Sequence, residues 1–147
     1  MNQEELIQEY AQCLQDTNYA ISTYLETYDN TQSKYVPFNL FPEQKMMLSN
    51  FEEHNDNITK KYRQAGVSTA TAAWVSKRLQ FASKKRPEKI LIIANKLDTA
   101  SEFANKVRGF LNQWPEWINV GFSKDKDSQK HFKLNNGCEI KAVATSV

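Results

Sequence analysis

Lys60, Lys61, Arg63, Gly66, Ser68 and Thr69 lie in one ten-residue stretch. Cations, a glycine and then two hydroxyls are the groups that hold a phosphate chain and its magnesium ion. The approach, Ile58-Thr-Lys-Lys-Tyr62, alternates apolar and polar residues, as a strand edge does. Gly66 supplies a tight turn. From Ser68 the period becomes helical, with Ala72, Val75 and Leu79 at spacings of three and four and Ala73 and Trp74 beside them. A strand, a glycine turn and a helix N-terminus form an anion site, because the first N–H groups of the helix have no intrahelical partner. The expected guest is a phosphate.

The spacing meets the phosphate-loop pattern G-x-x-x-x-G-K-[ST] only in part. Gly66 takes the second glycine position, and Ser68 supplies the hydroxyl that ligates magnesium. Lys61 stands where the first glycine belongs, and Val67 where the lysine belongs. A lysine binds phosphate as a point charge on a flexible stem, so Lys61 can enter the same pocket from the other side. Lys60 is the neighbouring candidate. On the loop alone, a basic strand–turn–helix without a ligand reads equally well.

The surrounding elements follow from periodicity. Gln3 to Leu14 reads as an amphipathic helix with Leu6, Ile7, Tyr10 and Leu14 on one face. A second helix is expected from about Asn18 to Tyr28, followed by a polar break over 29–33. Tyr35 to Leu40 is extended, because Pro37 disfavours helix and pushes the residue before it toward β. Pro42 suits the first turn of a helix running to about Phe51, with Met46 and Met47 on its apolar side. The helix after Gly66 ends near Ser83, and 84–89 is a basic turn. Lys89 to Ala94 is a continuous aliphatic run, as in a parallel strand covered on both faces. Asp98 is an N-cap for a helix over 99–113, whose Phe103, Val107, Phe110 and Leu111 read as core. Ser123 to Ser128 is a charged loop. His131 to Leu134 and Cys138 to Ala144, joined through Asn135-Asn-Gly137, form a hairpin, since Asn-Gly is the strongest short hairpin signal. His131 has no second His or Cys nearby, so nothing points to a metal there.

Tyr35-Val-Pro-Phe-Asn-Leu-Phe-Pro-Glu-Gln-Lys-Met-Met-Leu48, followed by Lys61-Tyr-Arg-Gln-Ala-Gly-Val-Ser-Thr69, resembles the large terminase subunit of tailed phages. That subunit is the ATPase of the motor that packages DNA into the capsid. The resemblance extends upstream through Cys13-Leu-Gln-Asp-Thr-Asn-Tyr19. Downstream it runs through Ile90-Leu-Ile-Ile-Ala-Asn-Lys96 and Leu134-Asn-Asn-Gly-Cys-Glu-Ile-Lys-Ala-Val-Ala-Thr-Ser146. Arg63-Gln64-x-Gly66 matches the common loop form of the family, and Val67 departs from it.

The resemblance implies an α/β P-loop NTPase core of the helicase and terminase kind, with a mostly parallel sheet flanked by helices. Residues 1–34 would be a helical leader, and 35–147 the N-terminal part of the ATPase domain. The apolar strand ending in Asp-Glu that follows in the family is not found here, nor is the nuclease domain, so a larger protein is expected. ATP and Mg²⁺ are the implied ligands. Gln44 would contact adenine, for which an amide that both donates and accepts is suited. Lys61 would reach the β- and γ-phosphates. Gln64, Ala65, Gly66 and Val67 would cradle phosphate with their N–H groups. Ser68 would ligate Mg²⁺, backed by Thr69, and Arg63 would stabilise transition-state charge in cis or serve as an ordinary phosphate contact. The implied partners are double-stranded DNA, a portal protein, a small terminase subunit and further copies of the chain in a ring. The implied place is the host cytoplasm and, transiently, the capsid portal. Two other readings compete: a helicase-like DNA translocase, and a non-catalytic nucleic-acid-binding module.

Composition sets the outer bounds. The chain has 147 residues, 40% hydrophobic and 24% charged, enough for one domain with a real core. No apolar run approaches the roughly 20 residues of a membrane span. Cys13 and Cys138 have neither metal spacing nor disulfide-framework density, which indicates reduced, buried thiols. Residues 1–56 carry a net −8 and residues 57–147 a net +10. A basic body with an acidic leader suggests a polyanionic ligand for the body, or pairing between the two halves.

Overall fold

The computed structural model describes residues 1–61 and 66–145. The chain divides into two compact units at Trp74/Val75.

The first unit opens with α1 (Gln3–Gln15) and α2 (Thr17–Tyr24). Asn2 caps α1: its side chain accepts from the Glu5 N–H at 2.8 Å, and the Glu5 carboxylate accepts from the Asn2 N–H at 3.1 Å. Asp16 ends α1 and caps α2 by accepting from the Tyr19 N–H at 3.0 Å. The second helix stops at Tyr24, earlier than expected. Glu26–Asp29 is instead a strand, β1, paired antiparallel with β2 (Lys34–Pro37). Thr27 and Tyr28 favour a pleated surface. Asp29 closes the turn by accepting from the Thr31 N–H, the Thr31 hydroxyl and the Gln32 amide. Tyr28 and Tyr35 meet edge-on across the pair at 5.3 Å. Helix α3 (Pro42–Glu53) follows, and Phe51 on it packs edge-on against Trp74 at 5.2 Å. Cys13, Ala20, Ile21, Leu25, Phe38 and Leu48 are among this unit's buried residues.

Helix α4 (Val67–Gln80) runs through the division between the units. The second unit holds its C-terminal part, then β3 (Lys89–Ala94), α5 (Leu97–Gln113), β4 (Phe122–Asp127), β5 (His131–Leu134) and β6 (Glu139–Ala144). Helix α5 starts at Leu97 with Lys96 at the cap position, so Asp98 lies in its first turn, where a carboxylate suits the helix dipole. Asn119 donates to the carbonyls of Leu111 and Trp114 at the other end of α5. The charged stretch expected as a loop at 123–128 is mostly strand. Phe122 anchors it, meeting the Phe132 ring at 5.5 Å.

The sheet corrects the expected P-loop core with a mostly parallel sheet. Its strand order is β3-β6-β5-β4, and only β3–β6 is parallel. The other two pairs are antiparallel. Short turns decide this. The Asn135-Asn-Gly turn and the 128–130 turn are too short for a crossover, so they return each strand beside its predecessor. Residues 58–61 form no strand among the described residues, so the expected approach strand is not there to extend a parallel set. Nor is β3 covered on both faces. It is an edge strand of alternating exposure, with Leu91 58% and Ile93 57% exposed. Ile140, Ala142, Phe132 and Leu134 are buried on the neighbouring strands, and α5 packs on β3 and β6.

Buried amides close this unit. Asn136 donates to the carbonyls of Leu79 at 2.8 Å and Ala82 at 3.2 Å, and accepts from the Cys138 N–H at 3.1 Å. Gln80 accepts from the Val120 N–H at 3.2 Å and donates to the Ile118 carbonyl. Cys13 and Cys138 are both buried and neither forms a disulfide. Among the described residues, no helix is long and apolar enough to cross a membrane.

Two expected outcomes follow from these contacts. Asn136→Ala strands buried carbonyls and an N–H, which should cost about 2–3 kcal/mol in urea unfolding; a loss under about 0.5 kcal/mol would contradict the assignment. In the first unit, the Glu9 carboxylate accepts from the hydroxyls of Tyr19 at 2.7 Å and Tyr24 at 2.8 Å. Those bonds, Tyr19's first, hold the Glu9 carboxyl below its usual range. Burial, and then the bond to Glu9, push the Tyr24 phenol up. A lowered carboxyl contributes stability that is complete above its unfolded value, about 4.3, and is lost as pH falls through the folded value. Tyrosine near-UV dichroism should therefore report loosening of α1 from α2 on acidification below about pH 4. Glu9→Gln should flatten that dependence, and an unchanged acid slope would refute it.

Candidate nucleotide site

The first unit contains a cavity of about 380 Å³ between α3 and the start of α4, within the range of small-molecule sites. Its lining combines Phe41, Met46 and Phe51 with Gln44, Lys60, Lys61 and Val67. Phe41 and Met46 are large apolar side chains left exposed on this face. Sequence periodicity put Met46 on the apolar side of α3 without showing that it faces a cavity rather than the core. Phe41, Asn50, Asn57 and Thr59 also line the cavity and carry no sequence signal beyond their nearness to Pro42 and Lys61.

Gln44 organises the site. It lies in the first turn of α3, where Phe41 has no side-chain acceptor to cap the helix. The Gln44 amide makes the return contact, its Oε1 accepting from the Phe41 N–H at 2.8 Å. Its Nε2 donates to the Gly66 carbonyl at 3.2 Å. That carbonyl also accepts from the Ala70 N–H at 3.0 Å, the first helical bond of α4. Gly66 has φ +72°, a left-handed conformation that glycine adopts without steric cost. A Cβ there would lie 2.7 Å from Gln44 Nε2. The backbone and the amide thus approach as closely as they do only because residue 66 is glycine.

The expected site residues are distributed as follows. Gln44, Lys61 and Val67 line the cavity together, and Gly66 is bonded to Gln44. Ser68 is exposed on the first turn of α4, and Thr69 is half-buried beside it; neither lines the cavity. Arg63, Gln64 and Ala65 lie outside the described residues. Lys60, the alternative phosphate lysine, lines the same cavity as Lys61. Among the described residues no three His, Cys, Asp or Glu side chains gather as a metal cluster. His131, in the second unit, is paired with Glu139, whose carboxyl it holds low.

The chain matches no known protein-family model and no curated protein.

Gly66→Ala places a methyl on a left-handed backbone and against a buried amide. We expect a loss of about 1–2 kcal/mol in urea unfolding. Combining it with Gln44→Ala should recover the part due to the contact, giving a non-additive double mutant. Strict additivity would mean that the close approach has no energetic weight.

Proposed function

We propose that this chain is the nucleotide-binding part of an ATPase similar to the large terminase subunit, the motor that drives double-stranded DNA into a phage capsid. The observation that carries the reading is the cavity that Gln44, Lys60 and Lys61 share with Val67, the first residue of α4. An apolar wall of Phe41, Met46 and Phe51 suits a flat base, and the lysines suit a phosphate chain. The N–H groups that open α4 have no intrahelical partner and favour negative charge. The reading rests on this local arrangement and on the sequence resemblance, and takes nothing from the sheet.

In it, Lys61 neutralises phosphate charge, with Lys60 beside it, and the α4 N-terminus orients the phosphates. Ser68, an exposed hydroxyl on the first turn of α4, is the group of this chain that would hold a magnesium ion, with Thr69 in support. Magnesium would supply charge neutralisation between the phosphates. Arg63 is assigned to phosphate or transition-state charge. None of the residues named here is assigned to orient an attacking water, so we expect weak nucleotide binding and little hydrolysis by these residues alone. The net +10 over 57–147 supports DNA as the polyanionic partner. Portal protein, small terminase subunit, ring assembly and a cytoplasmic site in the host follow from the same resemblance. The same charge supports a second reading, a nucleic-acid-binding module that uses no nucleotide.

Calorimetric titration with Mg-ATP tests both. The motor reading predicts measurable binding by wild type and about tenfold weaker binding by Lys61→Ala, as loss of a charge-assisted phosphate contact implies. Equal binding by wild type and Lys61→Ala, with the loss appearing in Lys60→Ala, would move the phosphate role to Lys60. A folded wild type that binds no nucleotide, but binds DNA with a steep salt dependence, would establish the binding module instead.

A further inference from the structure

We infer that Gln44 acts on bound phosphate as a positioning residue: its amide ties the start of α3 to Gly66 at the start of α4, and does not read the base. The functional half of this inference rests on the nucleotide reading above. The tether rests on the geometry of the first unit alone.

Both ends of the Gln44 amide are engaged, Oε1 by the Phe41 N–H at 2.8 Å and Nε2 by the Gly66 carbonyl at 3.2 Å. An amide has two donor hydrogens and two acceptor lone pairs, so one of each remains. The residue is only 5% exposed, which leaves little of it to meet an adenine edge in the cavity. Gly66 answers this geometry. Its carbonyl serves Nε2 and the Ala70 N–H together, and its missing Cβ leaves room for the amide. The bond spans 22 residues of chain and fixes where the first N–H groups of α4 sit relative to α3. Those N–H groups contact phosphate and carry no base preference. Loss of the tether should therefore weaken every polyphosphate alike.

Gln44→Glu separates the two bonds. A carboxylate still accepts from the Phe41 N–H, and its charge suits the first turn of a helix, so α3 stays capped. It cannot donate to the Gly66 carbonyl. Asn50→Asp places the same added charge on the same cavity wall without touching the tether, and so controls for simple repulsion.

The experiment titrates wild type, Gln44→Glu and Asn50→Asp with Mg-ATP, Mg-GTP and magnesium tripolyphosphate. In parallel, trypsin cleavage after Lys60 and Lys61 is timed without ligand. We expect Gln44→Glu to lose about tenfold in affinity for all three ligands, well beyond Asn50→Asp. We also expect faster cleavage after Lys60 and Lys61, with cleavage after Lys84 and Lys85 unchanged. A loss confined to ATP would show that Gln44 reads the base and would overturn the inference while leaving the nucleotide reading intact. So would a loss matched by Asn50→Asp, or unchanged cleavage. Wild type that binds none of the three ligands would overturn the nucleotide reading and the role of Gln44 in it together.

Discussion

A glycine in a left-handed conformation, held by one buried amide, is the constraint on which the first unit turns. Helix α4 opens behind a residue that leaves the helical conformation and still presents its carbonyl to the fourth residue on. Gly66 does this at φ +72°. Any side chain there would strain the backbone and displace Gln44. Because the same amide caps α3, the two helices that bound the cavity share one hydrogen-bonded link. The cavity is thus defined by backbone geometry as much as by the side chains that line it.

The other end of α4 is secured by the same device, polar side chains satisfying helix carbonyls. Asn136, on a turn between β5 and β6, supplies donors to Leu79 and Ala82, and Gln80 links to the strand approach at Ile118 and Val120. Buried amides are costly unless every bond is made, so they fix a single arrangement. Arg108 does a similar job at the surface of the sheet. It pairs with Asp127, donates to the Ser128 carbonyl and lies over the Phe132 ring at 4.2 Å. That cluster explains why a stretch as charged as 123–128 orders as a strand.

What the sequence made legible was local. Asn-Gly placed the β5–β6 turn, Pro42 placed the start of α3, and the aliphatic run placed β3 to the residue. It misled where a local pattern has two solutions. A run such as Ile90-Leu-Ile-Ile93 suits a strand buried on both faces and an edge strand with one face open, and the neighbours decide which. Tyr24, Leu25 and Tyr28 keep helical spacing, yet the Asp29 turn draws residues 26–29 into a hairpin. The expected parallel core failed for the same reason. Pairing direction is set by connection length, and the turns after β4 and β5 are short.

At the site, residue types were legible and their joint use was not. Lysines near a glycine and a helix start raise the expectation of a phosphate, and Lys60, Lys61 and Val67 line one cavity. An amide near such a loop suggests base reading from its donor and acceptor alone. Only its partners tell that one donor and one acceptor are spent on backbone groups. A side chain chosen for two complementary bonds suits a purine edge and a pair of peptide groups equally, because a peptide presents the same N–H and C=O. Sequence cannot separate these uses, and burial can. An amide that reads a ligand must give its bonds to that ligand, whereas Gln44, a residue only 5% exposed, gives one donor and one acceptor to the frame of the cavity it lines.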